Sequence, residues 1–391
     1  MGNYYSGGNK PLSEEKLSQI NGFALENLMR PDLLELEEYT PIEPLEKLSE
    51  RLGIPIERIV KLDANENPWG SAPASLQALA TYKYYHIYPD PTSLFLREEL
   101  ANFTGFDKEQ LLVGSGSDEL LELIIRLFIT PGDNIIDLVP TFGMYSFLGK
   151  QYQAQVRAVA RHAQDYSVDV EATLAAVDER TKIIFVCTPN NPTGNSCNEA
   201  TIRTLLNTGK LVVVDEAYHD FAGQSFAYLT REYENLIVLR TFSKLSGLAG
   251  LRVGYGIFPL SVIKHLWKIK QPYNVTVAAQ EAALASLRDP EWLRESVSRI
   301  VAERSRLFGL LQSVEGIEPL PSSSNFIFCR VHNYNARSVK EKLERQGVFI
   351  RYFNKPLLQN AFRVSVGRPD QTDIFMEALR KVLAEETANK A

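Results

Sequence analysis

Arg240-Thr241-Phe242-Ser243-Lys244-Leu245-Ser246-Gly247-Leu248-Ala249-Gly250-Leu251-Arg252-Val253-Gly254 follows directly on the apolar run Leu236-Ile237-Val238-Leu239. That run reads as a strand covered on both faces, because no polar residue alternates with its side chains. A lysine then sits among hydroxyls and glycines, and eight positions later Arg252 opens a second apolar run. Lysine is costly to bury unless it is paired or chemically employed. A solvated loop lysine between two strands would look the same in isolation, so the surrounding chain has to decide between the two.

Outward from this stretch, the pattern from about residue 74 to 287 alternates strand and helix. Further strand candidates are Asn134–Val139, Lys182–Cys187, Leu211–Val214 and Leu251–Ile257, all rich in β-branched residues and mostly continuous. Helical segments rich in Ala, Leu and Glu lie between them. An α/β fold is expected, with a mainly parallel central sheet, helices on both faces, and ligands near the carboxyl ends of the strands. After about residue 288 the texture changes to a long amphipathic helix, 291–314, then strands at 325–329, 348–352 and 362–366, and a closing helix, 371–386. This is a smaller α+β domain. The expected organisation is an N-terminal arm (1–30), an N-terminal part of the small domain with a site-lining loop (31–70), a large domain (71–287) and a C-terminal small domain (288–391). Within the second part, a helix carries Leu45, Leu48 and Leu52 on one face and ends at Gly53.

The chain has 391 residues, 45% of them hydrophobic and 23% charged, a balance that fits a globular protein of more than one domain. A net charge of −6 argues against nucleic acid as a partner, and no apolar run reaches the length of a membrane span. The start lacks the basic and apolar blocks of a signal peptide. Three widely spaced cysteines (Cys187, Cys197, Cys329) have no metal-like spacing and suit a reducing compartment such as the cytoplasm, with no metal expected.

Four features fall at or near the expected strand ends. Gly114-Ser115-Gly116-Ser117-Asp118 precedes a helix, and small residues there let backbone N–H groups close on a phosphate. Thr188-Pro189-Asn190-Asn191-Pro192-Thr193-Gly194 is a fixed turn that projects an asparagine amide. Asp215, in Val214-Asp215-Glu216-Ala217-Tyr218, ends a strand with a carboxylate that could pair with a protonated ring nitrogen, and Tyr218 adds a phenol. Lys244 is the fourth, with Arg252 as a permanent cation for a phosphate dianion. An imine-forming amine, a phosphate cradle, a pyridinium partner and a phenolate donor are together what pyridoxal phosphate requires. A metal or nucleotide site would leave Lys244 and Asn191 unused.

In order and spacing these motifs resemble the fold-type I pyridoxal-phosphate aminotransferases, and most closely the histidinol-phosphate aminotransferase family, from about residue 35 to the C-terminus. The resemblance implies that Lys244 forms the covalent link to the cofactor, that Asp215 pairs with its ring nitrogen, and that Asn191 and Tyr218 bond its ring oxygen. It implies a phosphate held by Gly116, Ser117, Asp118, Thr241, Ser243 and Arg252, and a ring stacked on the cofactor from Pro140-Thr141-Phe142-Gly143-Met144-Tyr145. That ring is often tyrosine in the family; here it is Phe142, so stacking survives and any hydroxyl role is lost. Asn65-Glu66-Asn67-Pro68 resembles the family's substrate loop, with Asn67 a substrate-binding candidate. His86-Ile87-Tyr88-Pro89-Asp90-Pro91 resembles the segment whose tyrosine reaches the partner subunit's cofactor phosphate, which implies a homodimer. Phe362-Arg363-Val364-Ser365-Val366-Gly367 resembles the strand whose arginine grips the substrate acid, and Arg351 and Tyr39 match positions that bind the substrate phosphate. The implied reaction is transamination between histidinol phosphate and 2-oxoglutarate, yielding imidazole-acetol phosphate and glutamate. An aromatic amino-acid aminotransferase and a threonine-phosphate decarboxylase share the cofactor set and differ only in the substrate pocket. The effector domain of a transcription regulator would need a basic helix-turn-helix module upstream, and the segment before residue 35 is acidic and too short for one.

Overall fold

The computed structural model describes residues 25–38 and 43–388. Most of the expected arm (1–30), and Tyr39 with it, lies outside the described residues. Residues 25–38 hold a 3₁₀ turn, Leu25–Leu28, and a one-turn helix, Pro31–Leu34, with proline in its first turn and Arg30 paired to Asp32 at 2.5 Å.

From residue 43 onward the frame is a seven-stranded sheet of β1 (Leu111–Gly114), β2 (Asn134–Val139), β3 (Gln155–Ala160), β4 (Thr181–Cys187), β5 (Leu211–Asp215), β6 (Leu236–Thr241) and β7 (Gly254–Ile257). The strand order is β1-β7-β6-β5-β4-β2-β3, and only β7 runs antiparallel to its neighbours. The continuous apolar runs are explained by the two cores they serve. Val212, Val214 and Val238 face one cluster, while Val213, Ile237 and Leu239 face the other. Strand periodicity of two sends successive side chains to opposite faces, and both faces are covered by helices.

Register then lines up the strand ends. Cys187 pairs with Asp215, and Asp215 with Leu239. The loops after β4, β5 and β6, carrying Asn191, Tyr218 and Lys244, therefore leave the same edge of the sheet side by side.

Three strands of this sheet depart from the sequence reading. β1 is absent from it, being a run of only four residues that leads straight into a glycine turn. β3 is absent too: this is an edge strand whose residues are mostly exposed or half-buried, so it lacks the apolar signature of the others. The run expected as a strand from Leu251 begins only at Gly254, because Ala249–Leu251 is a 3₁₀ turn and Arg252 has φ +53°.

The second sheet is antiparallel, formed by β8 (Ile317–Pro319), β9 (Phe326–Val331), β10 (Arg351–Tyr352) and β11 (Ala361–Ser365), in the order β10-β11-β9-β8. Helices Pro290–Gln312, Ala336–Arg345 and Pro369–Ala388 contribute to the core on one face of this sheet. Phe362 and Val364 of β11 enter that core, which turns Arg363 and Ser365 to the other face. The strand expected over 348–352 is split: Val348–Phe349 pairs instead with Val60–Lys61 in a separate parallel ladder. Among the described residues no helix is long and apolar enough to cross a membrane.

Candidate active site

Lys244 stands at the centre of the loops that leave β4, β5 and β6. Its Nζ donates to the Ala64 carbonyl at 3.3 Å and lies 5.7 Å from the centre of the Tyr218 ring. The side chain keeps some access to solvent, yet loss of hydration, followed by the nearby Arg363 charge, pushes its pKa down to about 8. An amine that is half neutral near pH 8 is a usable nucleophile and base; an ordinary lysine is not.

Asp215 is buried at 3% exposure and has no ion-pair partner among the described residues. Tyr145 Oη donates to its Oδ2 at 2.7 Å and the Ala217 N–H to its Oδ1 at 3.1 Å. Burial, the largest cause, still raises its pKa to about 6 against these two hydrogen bonds. A carboxylate left in this environment is incomplete without a cation, and a protonated pyridine nitrogen would complete it. Tyr145 is in turn held by parallel stacking on Phe185, with ring centres 4.8 Å apart, and Phe142 meets it edge-on at 5.7 Å. Just behind this strand end, Glu216 and Arg240 form a buried ion pair at 2.9 Å, so the neighbouring loop starts are tied together.

The start of helix Gly116–Phe128 is shaped for an anion. Ser115 makes no side-chain cap there, so the N–H groups of the first turn point outward without one. Arg252 reaches across from the lysine loop and donates to Asp118 Oδ2 at 2.8 Å. Asp118 thus orients the guanidinium, and only its backbone N–H is suited to touch a phosphate. Thr241 and Ser243 hydroxyls lie 3.0 Å apart at the end of β6. The cradle depends on two glycines. A Cβ on Gly254 would lie 2.6 Å from the Ser117 nitrogen, and one on Gly116 would lie 2.6 Å from Nη2 of Arg252. Gly116 also has φ +78°, a conformation side chains disfavour. Gly116→Ala is therefore expected to weaken pyridoxal-phosphate affinity by about 10- to 100-fold, the size of one lost charge-assisted hydrogen bond. Equilibrium dialysis of the cofactor-free variant checks this, and an unchanged Kd would contradict it.

The arginine side of this region is built on β11 and β10. Arg363 is 5% exposed and is fixed by donating to Asn191 Oδ1 and to the Asp63 carbonyl, both at 2.6 Å. Arg351 is its direct antiparallel partner. Both guanidinium carbons lie over one ring, Phe353, at 5.8 and 5.7 Å. Like charges opposite each other on adjacent strands repel, so the pair is an arrangement that favours a shared anion.

The structure thus brings Asn191, Asp215, Tyr218, Lys244 and Arg363 to one region, with Gly116, Ser117, Asp118 and Arg252 gathered at the start of helix Gly116–Phe128. Asn67 is placed differently from expectation. It is buried, its Nδ2 donates to the Leu245 carbonyl at 2.7 Å and its Oδ1 accepts from the Trp69 N–H at 3.0 Å. One hydrogen and one lone pair of its amide therefore hold the lysine loop and the turn at Trp69. Tyr88 is 80% exposed and stacks on Tyr273 with centres 4.7 Å apart. Sequence reasoning gives no individual role to Tyr145, Phe353 or Ser365, and places Asn65 only as part of the substrate-loop stretch. Tyr145, Asn65 and Ser365 act through partners distant in the chain, which no local pattern marks.

A family profile, "Aminotransferase class I and II", matches residues 57–379. The histidinol-phosphate aminotransferase of Roseiflexus castenholzii is 48% identical over 368 residues, covering 92% of this chain and 99% of that protein. The chloroplastic histidinol-phosphate aminotransferase of Nicotiana tabacum is 47% identical over 375 residues, 95% of this chain and 90% of that one. Among solved structures, the histidinol-phosphate aminotransferase of Sinorhizobium meliloti in complex with pyridoxal-5'-phosphate superposes with a TM-score of 0.83 at 27% identity. The match covers 91% of this chain and 98% of that one. On these matches, the chain belongs to the class I and II aminotransferases, within the histidinol-phosphate aminotransferase family.

Proposed function

We propose that this protein is a pyridoxal-phosphate enzyme that moves the amino group of L-histidinol phosphate to 2-oxoglutarate, giving imidazole-acetol phosphate and glutamate in histidine biosynthesis. The observation that carries the substrate reading is the opposed pair Arg351 and Arg363 over Phe353, beside the lysine site. When bound, pyridoxal phosphate supplies an aldehyde carbon for amines and a ring that accepts electrons from the substrate. The chain's own residues do the rest. Lys244, as the neutral amine, removes the proton from the substrate Cα and later returns one. Asp215, held by Tyr145, keeps positive charge on the ring nitrogen. Asn191 and Tyr218 would bond the ring oxygen, and Phe142 would stack on the ring. The first turn of helix Gly116–Phe128, with Thr241, Ser243 and Arg252, holds the cofactor phosphate. Arg363 receives a carboxylate in one half-reaction and a phosphate in the other, a task that suits a planar guanidinium, with Arg351 as its helper for the dianion. Tyr39 is placed with them by likeness alone.

The active form is read as a homodimer in which Tyr88 reaches the other subunit's cofactor phosphate. The exposed run Tyr84, Tyr85, Ile87 and Tyr88 supports this, being more apolar than a surface needs. Three cysteines without disulfides favour a reducing compartment such as the cytoplasm.

The test is a panel of L-histidinol phosphate, L-phenylalanine and L-phosphothreonine, each with 2-oxoglutarate. Histidinol phosphate is expected to lead in kcat/KM by at least about 100-fold. In addition, Arg351→Ala is expected to raise KM for histidinol phosphate by about 10- to 100-fold and to leave phenylalanine turnover nearly unchanged. Carbon dioxide released from phosphothreonine, or phenylalanine matching histidinol phosphate, would overturn the substrate assignment.

A further inference from the structure

Asn65 is buried at 1% exposure and sits at φ +56°, a left-handed conformation that asparagine tolerates better than most residues. Every polar group it has is engaged. Its Nδ2 donates to Tyr218 Oη at 3.0 Å, its backbone N–H donates to Ser365 Oγ at 2.8 Å, and the Ser365 hydroxyl donates back to Oδ1 at 3.0 Å. Asn325 Nδ2 donates to its carbonyl at 3.0 Å. Ser365 therefore fixes which end of the amide faces the phenol. A phenol has one hydrogen to give. With Asn65 acting as donor toward Oη, that hydrogen has to point elsewhere.

We propose that Asn65, locked by Ser365, is a positioning residue that directs the Tyr218 hydroxyl hydrogen into the cofactor site, so that Tyr218 acts there as a donor and not an acceptor. The inference rests on the reading that Tyr218 bonds the cofactor's ring oxygen. Arg363 and Asp215 act on Tyr218 through charge, and Lys244 lies over its ring; among the described residues the hydrogen bond at Oη is the one from Asn65. Asparagine is required because it combines a neutral N–H donor with tolerance of the left-handed backbone. An aspartate in its place would keep the shape and the backbone and reverse the polarity. The cations of Arg363 and Lys244 favour the ionised form of such a carboxyl, which would accept the phenol's hydrogen.

The experiment is a double-mutant cycle of Asn65→Asp and Tyr218→Phe on the holoenzyme, read as the pH midpoint at which the visible absorption band of the lysine-bound cofactor changes. A donor to the ring oxygen stabilises its negative charge and so lets the adjoining nitrogen lose its proton at lower pH. Removing that donor is expected to raise the midpoint by about one pH unit, the size of one hydrogen bond to a charged group. Tyr218→Phe and Asn65→Asp are each expected to show this shift, and the double variant no more than either alone. Equal and additive shifts would mean that the introduced carboxylate acts only through its charge and would overturn the inference. So would a shift in Tyr218→Phe with none in Asn65→Asp. No shift in Tyr218→Phe would instead overturn the role of Tyr218 itself. Should Asn65→Asp fail to fold, Ser365→Ala unlocks the amide without adding charge. It is expected to raise the midpoint in the wild-type background and not in Tyr218→Phe.

Discussion

Lys244→Ala is expected to lower turnover by at least about 10⁴-fold and to abolish the visible band of the covalently held cofactor. On the proposed reading two separate functions go with one side chain: the amine that anchors the cofactor and the base that moves the Cα proton. The phosphate cradle around Gly116 and Arg252 is untouched, so the variant should still bind pyridoxal phosphate reversibly, with the spectrum of the free aldehyde. Turnover near the wild-type rate would refute the assignment. The lowered pKa of Lys244 gives the same conclusion a pH signature. Capture of cofactor by the cofactor-free protein requires the neutral amine, so its rate should climb with pH to a midpoint near 8, well below that of an ordinary lysine. The sign for stability follows. Between about pH 8 and 10.5 the unfolded chain holds a proton that the native lysine lacks, so the destabilisation from burying this cation is full below pH 8 and fades across that window.

Asp215→Asn is expected to reduce kcat by about 10³-fold, because it removes the fixed charge that keeps the ring nitrogen protonated. The amide can still accept from the Ala217 N–H through its oxygen and donate to Tyr145 Oη through its nitrogen, so geometry is largely kept. Stability should move the opposite way to activity. Burial raises the Asp215 pKa from 3.8 to about 6, so in the cofactor-free protein the carboxylate destabilises the fold increasingly as pH rises through that interval, and fully above it. At a pH above that interval the cofactor-free Asp215→Asn protein should therefore melt no lower than wild type, while the holoenzyme loses the stabilisation that a bound pyridinium confers. A thermal-shift pair, with and without cofactor, reads both. A cofactor-free variant that melts well below wild type, with activity largely intact, would mean that Asp215 is structural.

The parts of this architecture that are legible in the sequence share a physical cause. β4, β5 and β6 are buried on both faces, so they appear as continuous β-branched runs, and the residues that end them, Asp215 and the turns leading to Asn191 and Lys244, are marked by position alone. β3 has no such run, because an edge strand meets solvent, and the sequence does not announce it. Leu251 to Val253 looks like the start of a strand because it is apolar around Arg252; in the fold, the φ of +53° at Arg252 turns the chain to bring its guanidinium over Gly116. The split of 348–352 into two ladders depends on Val60–Lys61, nearly three hundred residues away. The site divides the same way. Groups read as touching the cofactor sit at the ends of strands and are visible there, whereas groups that orient them, Tyr145 on Asp215 or Asn65 on Tyr218, are defined by contacts that no local pattern announces.

The hydrogen bonds from Asn65 to Ser365, and from Arg363 to Asp63, close the site with residues drawn from opposite ends of the described chain. During synthesis the seven-stranded sheet can be complete while β11 is still inside the ribosome. Until Ser365 emerges, Asn65 lacks the hydroxyl that fixes its amide and Lys244 lies in an unfinished cavity. Firm, spectrally visible cofactor attachment is therefore a timer: it should begin only once the last strand has been delivered, and nascent chains stalled before residue 361 should fail to colour.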